Sequence, residues 1–150
     1  MISVKQLERD EVAEVDRELP LSRLRRPAED GSTYLIAWNA DQPVGHAHIA
    51  WDGTHMALPE IQDVFVLPAQ RRRGIATELT RAAETEARNR GWRSISLSVS
   101  QEGNPHARRL YEKLGYLDAG LEPVRVSGEI MLRGRPLQVD DTLVYLTKSL

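Results

Sequence analysis

Three consecutive arginines, Arg71 to Arg73, stand directly before Gly74 and Ala76, where an apolar strand pattern gives way to a helical one. A small residue at a helix N-terminus lets another molecule approach the free backbone N–H groups, and the helix dipole favours an anion there. Arginine adds planar, bidentate phosphate donors. The spacing is neither a Walker loop nor a G-x-G-x-x-G dinucleotide fingerprint, so the segment predicts a pyrophosphate site, with a solvated basic loop as the alternative.

Asn104 opens a second polar segment, which follows the first by about one structural element. An asparagine side chain accepts from free N–H groups at a helix N-cap, Pro105 suits the first helical position, and Gly115 suits the residue after the helix. The apolar positions between them recur at helical spacing. They are Ala107, Leu110, Tyr111 and Leu114. An anion site at one helix start, followed by this short helix, is far more specific than either feature alone.

The elements that precede these segments are predicted from hydrophobic periodicity. Residues 2–7 alternate as a strand, and residues 10–19 repeat at helical spacing. Residues 21–30 are basic and predict a short second helix or a loop. Residues 34–38 and 44–51 predict an antiparallel hairpin, because turn-forming residues separate them.

The elements around the two segments indicate how the strands of the sheet are oriented. Residues 60–67 predict a strand stopped by a proline, residues 75–90 a helix, and residues 92–100 a second strand. A strand–helix–strand crossover of this length joins parallel strands, so the sheet should be mixed. Three more strands are predicted at 116–126, 130–132 and 142–146, separated by Gly128, Gly134 and Pro136.

The composition excludes several classes of protein. A chain of 150 residues with a formal net charge of -2 fits one domain, predicted over residues 1–150, and argues against a protein that coats nucleic acid. Cysteine is absent, which excludes thiol nucleophiles, thiolate zinc sites and iron–sulfur clusters. The sequence has no leader-like or membrane-spanning apolar run, so we expect a cytoplasmic protein without a membrane partner.

Two stretches of the chain resemble the GCN5-related N-acetyltransferase (GNAT) superfamily. Residues 64–76 are similar to its acyl-CoA motif, in which Arg71, Gly74 and Ala76 take the defined positions. Residues 104–116 are similar to its second motif, N-x-x-A-x-x-L-Y-x-x-x-G-F/Y. The resemblance implies an α+β fold with three α/β/α layers. Its sheet would be mixed and mostly antiparallel, with about six to seven strands and a splayed parallel central pair.

The resemblance also implies acetyl-CoA as co-substrate and no metal. In similar proteins the motif strand pairs with the pantetheine amides, N–H groups at the helix start receive the pyrophosphate, and an asparagine binds the pantetheine arm. The cofactor-binding residues implied here are Val64, Phe65, Val66, Arg71, Arg72, Arg73, Gly74, Ile75, Ala76, Thr77, Asn104 and Arg108. Tyr111 would protonate the departing thiolate, since a phenol has a pKa of about 10. A packing role for Tyr111 is the alternative.

The implied reaction is N-acetylation of a primary amine, on a small molecule or a peptide, by direct attack within a ternary complex. A primary amine is mostly protonated near neutral pH, so the reaction needs a base. Glu60 and Asp63 are the candidates on the motif strand, and His55 in the preceding loop is a third. In strict alternation the two carboxylates point to opposite faces, so only one reaches the cleft unless the strand bulges. A solvated strand-end carboxylate is the alternative for each.

Other features compete with this interpretation. His46 and His48 lie two residues apart and could share a metal ion, but the spacing suggests no third ligand, so we expect polar residues on the solvent face of a hairpin. A domain of the same fold could also hold acyl-CoA as a non-catalytic sensor. Nucleic-acid binding through Arg71 to Arg73 is disfavoured, because the chain is acidic and poor in aromatic residues. Exposed terminal strands are compatible with a homodimer.

Overall fold

The computed structural model describes residues 1–19, 31–132 and 135–150, with the backbone alone for residues 130–132. The predictions for residues 21–30 and for Gly134 therefore lie outside the described residues. Three α-helices are present in the described part: α1 (Val12–Glu18), α2 (Ile75–Asn89) and α3 (Pro105–Lys113). The strands there are β1 (Ile2–Gln6), β2 (Thr33–Asn39), β3 (Gln42–Ala50), β4 (Glu60–Val66), β5 (Ser94–Ser100), β6 (Leu117–Asp118), β7 (Val124–Leu132) and β8 (Arg135–Ser149).

The eight strands of the described residues form one mixed sheet in the order β1-β2-β3-β4-β5-β8-β6, and β7 pairs with β8. Every pairing is antiparallel except that of β4 with β5. These two strands pair only at Glu60 with Ser96 and Ile61 with Leu97, after which they separate. The splayed parallel pair and the mixed sheet are confirmed, and the sheet has eight strands where six to seven were predicted.

The helices pack on both faces of this sheet and bury two hydrophobic clusters. The larger cluster joins the sheet to α2, whose buried stripe is Ile75, Leu79, Ala83 and Ala87. The smaller cluster joins the other face to α1 through Val15, Tyr34, Ile36 and Trp38. We call the first face the α2 face and the second the α1 face. No helix of the described residues is long and apolar enough to cross a bilayer.

A β-bulge interrupts β4 at Asp63, whose φ of 50° is unusual for a residue other than glycine. His46 pairs with Phe65 and His48 pairs with Gln62, so two residues of β4 lie opposite Ala47 alone. The extra residue resets the alternation of side chains after Gln62. The strict alternation considered from sequence therefore ends at this point of the strand.

The C-terminal part of the sheet differs from its prediction. Gly128 pairs with Val139 and Pro136 pairs with Met131, so both residues lie inside the long hairpin of β7 and β8. The prediction that glycine and proline separate short strands here is wrong. Beyond the pairing of β8 with β5, which covers Ser94 to Ser100, this hairpin is a two-stranded ribbon. A ribbon edge tolerates a proline, and Gly128 adopts a φ of 132°.

Candidate active site

A cleft of about 710 Å³ opens on the α2 face, at the place where β4 and β5 separate. Its walls come from β4, from the loop before α2, from the first turn of α2, and from α3. The lining residues are Val64, Phe65, Val66, Gln70, Arg71, Arg72, Gly74, Ile75, Ala76, Thr77, Asn104, His106, Ala107, Leu110 and Tyr111. None of these is acidic, so the cleft carries positive charge along one wall.

The backbone of β4 supplies the inner wall of the cleft. The Leu67 N–H donates to the Val44 carbonyl of β3 at 2.9 Å. Because successive residues of a strand point their N–H groups to opposite neighbours, the N–H groups of Val66 and Val64 are directed away from β3. They face the side on which β5 has separated, where an extended ligand could pair with them as an added strand.

The first turn of α2 supplies a second set of backbone donors. Gly74 is the N-cap, with a φ of 76° and no capping side chain, and its carbonyl accepts the first helical hydrogen bond from the Glu78 N–H at 3.0 Å. The N–H groups of Ile75, Ala76 and Thr77 precede that bond and have no acceptor within the helix. Together with the helix dipole, they make this turn suited to a phosphate group.

The three arginines before α2 take different positions. Arg71 and Arg72 line the cleft, and the Arg71 Nε donates to the Val66 carbonyl at 3.0 Å. Arg73 turns to Gln70, whose Oε1 accepts at 3.3 Å, and does not line the cleft. All three side chains are exposed, so they can reorient toward an anion.

The two predicted ligands on α3 also differ. Asn104 lines the cleft and is the N-cap of α3, as predicted, since its Oδ1 accepts from the Ala107 N–H at 3.2 Å. Its amide group retains two donors. Arg108 lies outside the cleft, 3.7 Å from a carboxylate oxygen of Glu112 and 3.7 Å from one of Asp118. These two ion pairs hold its guanidinium on the outer face of the helix.

Tyr111 lies deep in the cleft wall, with only 8% of its surface exposed. Burial raises its pKa to about 12, and a hydrogen bond with Thr80 opposes this rise. Its ring meets that of Tyr116 edge-on, with 5.8 Å between the ring centres. The Tyr116 hydroxyl donates to the buried carboxylate of Glu84 at 2.8 Å, and Lys148 donates to the same carboxylate at 3.0 Å. This buried network holds the two tyrosines in place.

The α1 face of β4 carries a different set of groups. Glu60 is 7% exposed, and its Oε2 accepts from the Gln62 Nε2 at 2.5 Å. The Gln62 Oε1 in turn lies 3.1 Å from the His48 Nδ1. The second carboxylate oxygen of Glu60, Oε1, is buried and has no hydrogen-bond partner among the described residues. A buried carboxylate oxygen without a partner can accept a hydrogen bond from an N–H or O–H group of a bound ligand.

Tyr145 of β8 extends this polar group. Its pKa is raised by burial and, to a smaller extent, by the charge of Glu60. The ring of His55 stacks on it, with 4.4 Å between the ring centres. Among the three candidate bases, His55 stacks on Tyr145, the charge of Glu60 acts on the same tyrosine, and Asp63 sits at the bulge.

His46 and His48 are 0% and 7% exposed, so the prediction that they lie on a solvent face is wrong. They occupy a central strand of the sheet beneath the α1 layer, and their rings contact those of Tyr34 and Phe65. Within residues 1–19, 31–132 and 135–150, no cluster of three or more histidine or acidic side chains could hold a metal ion.

A family model described as the acetyltransferase (GNAT) family matches residues 2–116. The chain belongs to this family. The match spans the cleft, both sequence motifs and the buried carboxylate of the α1 face. No curated protein matches the sequence of this GNAT member.

Solved structures share the fold of this GNAT chain at low identity. The ribosomal-protein-S18-alanine N-acetyltransferase of Escherichia coli is 16% identical, with a TM-score of 0.71 over 99% of this chain and 94% of that one. The spermidine/spermine N-acetyltransferase of Vibrio cholerae is 17% identical, with a TM-score of 0.69 over 99% and 92%. A Bacillus subtilis acetyltransferase solved with CoA is 20% identical, with a TM-score of 0.68 over 100% and 99%.

Four cleft residues of this GNAT protein were missed by sequence reasoning: Gln70, His106, Ala107 and Leu110. Each lies inside or beside one of the two motifs, so its position in the sequence was a usable signal. The helix α3 turns three of them toward β4. On the α1 face, Gln62 and Tyr145 were also missed, because nothing local marks a partner from another strand.

Proposed function

We propose that this protein transfers an acetyl group from acetyl-CoA to a primary amine of a small molecule or peptide, by direct attack in a ternary complex. The observation that carries the proposal is the cleft at the splayed strands. It combines unpaired strand donors, a free helix N-terminus and two arginines in one continuous wall. Family membership and the CoA found in a structural relative support the same conclusion.

The residues of the cleft fit CoA in three places. The N–H groups of Ile75 to Thr77 would bind the pyrophosphate, with Arg71 and Arg72 supplying charge. The backbone of Val64 would pair with the pantetheine amides, and the free amide donors of Asn104 would bind the same arm. Acetyl-CoA supplies a thioester carbonyl, and the Val66 N–H would stabilise negative charge that develops on its oxygen.

Tyr111 would donate its phenolic proton to the departing thiolate. It lines the cleft from α3, and its pKa of about 12 keeps the phenol protonated throughout the physiological pH range. Each turnover would then begin with a proton available at this position. A phenol with a raised pKa is a weaker acid, and the hydrogen bond with Thr80 offsets part of this cost by lowering the pKa.

Glu60 is the base that the geometry favours. Its carboxylate is buried on the α1 face, one residue before β4 and β5 separate, and its Oε1 has no partner within the described part of the chain. It could take a proton from an amine that enters from that face. Asp63 remains the second candidate, since the bulge places its backbone at the separation of the strands.

The acceptor is proposed only as a primary amine. The titles of two structural relatives name a polyamine in one case and a protein alanine in the other. Both supply an amine whose lone pair must be freed before attack, which is the task assigned to Glu60. The sensor alternative has one observation in its favour, because every cofactor contact described above would serve binding without catalysis.

Calorimetric titration with acetyl-CoA and with CoA, combined with a thiol-release assay on a panel of amines, tests the proposal. We expect saturable binding and amine-dependent thiol release. Glu60→Gln should lower the rate by about 100-fold or more, whereas Asp63→Asn should not. Binding without thiol release on any amine would favour the sensor, and absence of binding would contradict the cleft assignment.

A further inference from the structure

Three polar side chains on the α1 face form a hydrogen-bonded line across two strands. His48 of β3 lies opposite Gln62 of β4, and the His48 Nδ1 is 3.1 Å from the Gln62 Oε1. The Gln62 Nε2 is 2.5 Å from the Glu60 Oε2. His48 and Glu60 are each 7% exposed, and Gln62 is partly buried between them. The line is therefore shielded from the solvent that would otherwise compete for its hydrogen bonds.

The chemistry of the three groups determines which atom donates and which accepts in each hydrogen bond of the line. An ionised carboxylate can only accept hydrogen bonds, so the amide must direct its NH₂ group to Glu60. Its carbonyl oxygen then faces His48, and this oxygen can only accept, so the imidazole donates from Nδ1. The Glu60 carboxylate and the His48 N–H together fix the orientation of the Gln62 amide, and that amide holds Oε2 of Glu60.

The same arrangement distinguishes the two oxygens of Glu60. Oε2 is occupied by Gln62, whereas Oε1 is buried and has no partner within the described ranges. A carboxylate held at one oxygen cannot rotate freely about its last bond. Its other oxygen therefore keeps one direction, which is a condition for efficient proton transfer.

We propose that Gln62, oriented by His48, is a positioning residue that holds the Oε1 of Glu60 toward the acceptor amine. The proposal rests on the proposed function and on Glu60 as its base. In the step concerned, Glu60 has already passed to water the proton that it took from the ammonium form of the acceptor. The neutral amine nitrogen then bonds to the acetyl carbon, and a second N–H proton passes to Oε1. The carbon–sulfur bond breaks, its electron pair stays on sulfur, and the Tyr111 proton neutralises the thiolate. The Gln62 contact to Oε2 remains throughout. Afterwards Glu60 returns its proton to water and the Tyr111 phenolate takes a proton from water, so both groups are ready for the next turnover.

Other titratable groups around Glu60 are also accounted for. Tyr145 approaches from β8, and the charge of Glu60 raises its pKa, so it stays a neutral phenol. His55 reaches the cluster through its stack on Tyr145. His48 is linked from β3 through the amide, and Asp63 lies three residues further along β4. Of these side chains, only Gln62 donates a hydrogen bond of the described structure to the carboxylate.

The first test removes the amide while retaining size. Gln62→Leu should lower kcat with a saturating amine by about 10- to 100-fold while the Kd for acetyl-CoA, measured by calorimetry, changes by less than about twofold. Gln42→Leu, the same change at an exposed position of β3, is the matched control and should match the wild type. Wild-type turnover in Gln62→Leu would overturn the proposal.

The second test separates positioning from folding. His48→Asn retains a donor near the place of Nδ1, whereas His48→Leu removes it, so the first should recover most of the turnover lost in the second. Gln62→Glu puts a second carboxylate beside Glu60, and the acid limb of the pH profile of kcat/KM should move to higher pH. Equal losses in both His48 variants, or an unmoved acid limb in Gln62→Glu, would reduce the line to a structural role and overturn the proposal.

Glu60→Gln distinguishes a failure of Glu60 as the base from a failure of Gln62 as the positioning residue. If Glu60→Gln loses turnover but Gln62→Leu does not, the positioning role of Gln62 is contradicted and Glu60 stays the proposed base. Full activity of Glu60→Gln would contradict Glu60 as the base and the positioning role with it. Acetyl-CoA binding in the same variants reports separately on the cleft.

Discussion

The two faces of β4 are built from different kinds of group. On the α2 face, the contacts proposed for CoA are mainly backbone N–H groups of β4 and of the first turn of α2. On the α1 face, the groups proposed for the acceptor are side chains held by one another, with Glu60 bonded to Gln62 and Gln62 to His48. The first kind of site depends on backbone conformation and open space. The second depends on the identity of each side chain.

The largest effect should come from blocking the backbone site. Gly74→Glu forces a side chain onto a φ of 76° and adds a negative charge beside the predicted pyrophosphate, so acetyl-CoA binding should fall by more than about 100-fold. Isothermal titration calorimetry with acetyl-CoA measures this loss of binding. Gly53→Glu makes the same change at a φ of 66° with open space around it, away from the cleft. Equal loss in the control would show that strain, not the phosphate site, is responsible.

Tyr111→Phe should separate chemistry from binding on the α2 face. The role proposed for the phenol is to give a proton and not to contact the resting cofactor, so kcat should fall by about 100-fold with little change in the Kd for acetyl-CoA. Thiol release at saturating amine gives kcat, and calorimetry gives Kd. An unchanged kcat would assign Tyr111 to packing, against Tyr116 and Thr80.

The same tyrosine should make the fold sensitive to alkali. Its pKa is about 12 in the folded protein because of burial, against about 10 in an unfolded chain. The unfolded chain therefore loses this proton first, and the free energy of unfolding should fall by up to about 3 kcal/mol between pH 10 and 12. Urea unfolding at pH 9, 10 and 11 measures the slope. Tyr111→Phe should flatten it more than Tyr145→Phe, since Tyr145 is less buried.

A smaller effect is expected from Gly45, which lies close to the backbone of β4 and to the side chains of α2. A Cβ built there would lie 2.9 Å from the Phe65 carbonyl oxygen of β4 and 3.4 Å from side-chain atoms of Ile75 and Leu79. Gly45→Ala should lower the free energy of unfolding by about 1 to 3 kcal/mol, as for other overpacked positions. Thermal unfolding measures this loss. Gly31→Ala, whose Cβ meets open space at a φ of 84°, gives for comparison the cost of backbone strain without overpacking.

Local signals account for what could be predicted from sequence. The apolar stripe of α2, the alternation of β5 and the cap at Asn104 each depend on neighbours within one element, and all three are present as predicted. The cleft follows from two such elements, so its backbone donors around Gly74 were predictable. Arg73 and Arg108 were predicted in the site from the resemblance. Neither lines the cleft, and their side chains pair with nearby residues.

Long-range pairing accounts for what could not be predicted. The bulge at Asp63 exists only in the register between β3 and β4, which no stretch of β4 reveals alone. The burial of His48 depends on the α1 layer above it, and the length of the β7–β8 hairpin depends on pairing across the chain. For the same reason the polar line through Gln62 could not be anticipated, because it joins residues from two strands.

The division of the interior into two clusters gives each face its own optical reporter. Trp38 lies in the α1-side cluster, whereas Trp51 and Trp92 pack against the α2-side cluster. The Trp51 indole donates to the Thr33 hydroxyl at 2.9 Å, which fixes its surroundings. Fluorescence of a Trp38→Phe variant would report the unfolding of the α2-side cluster alone. The difference between the wild-type signal and this signal would report the unfolding of the α1-side cluster. Coincident transitions of the two signals would mean that β4 makes both halves melt as one cooperative unit.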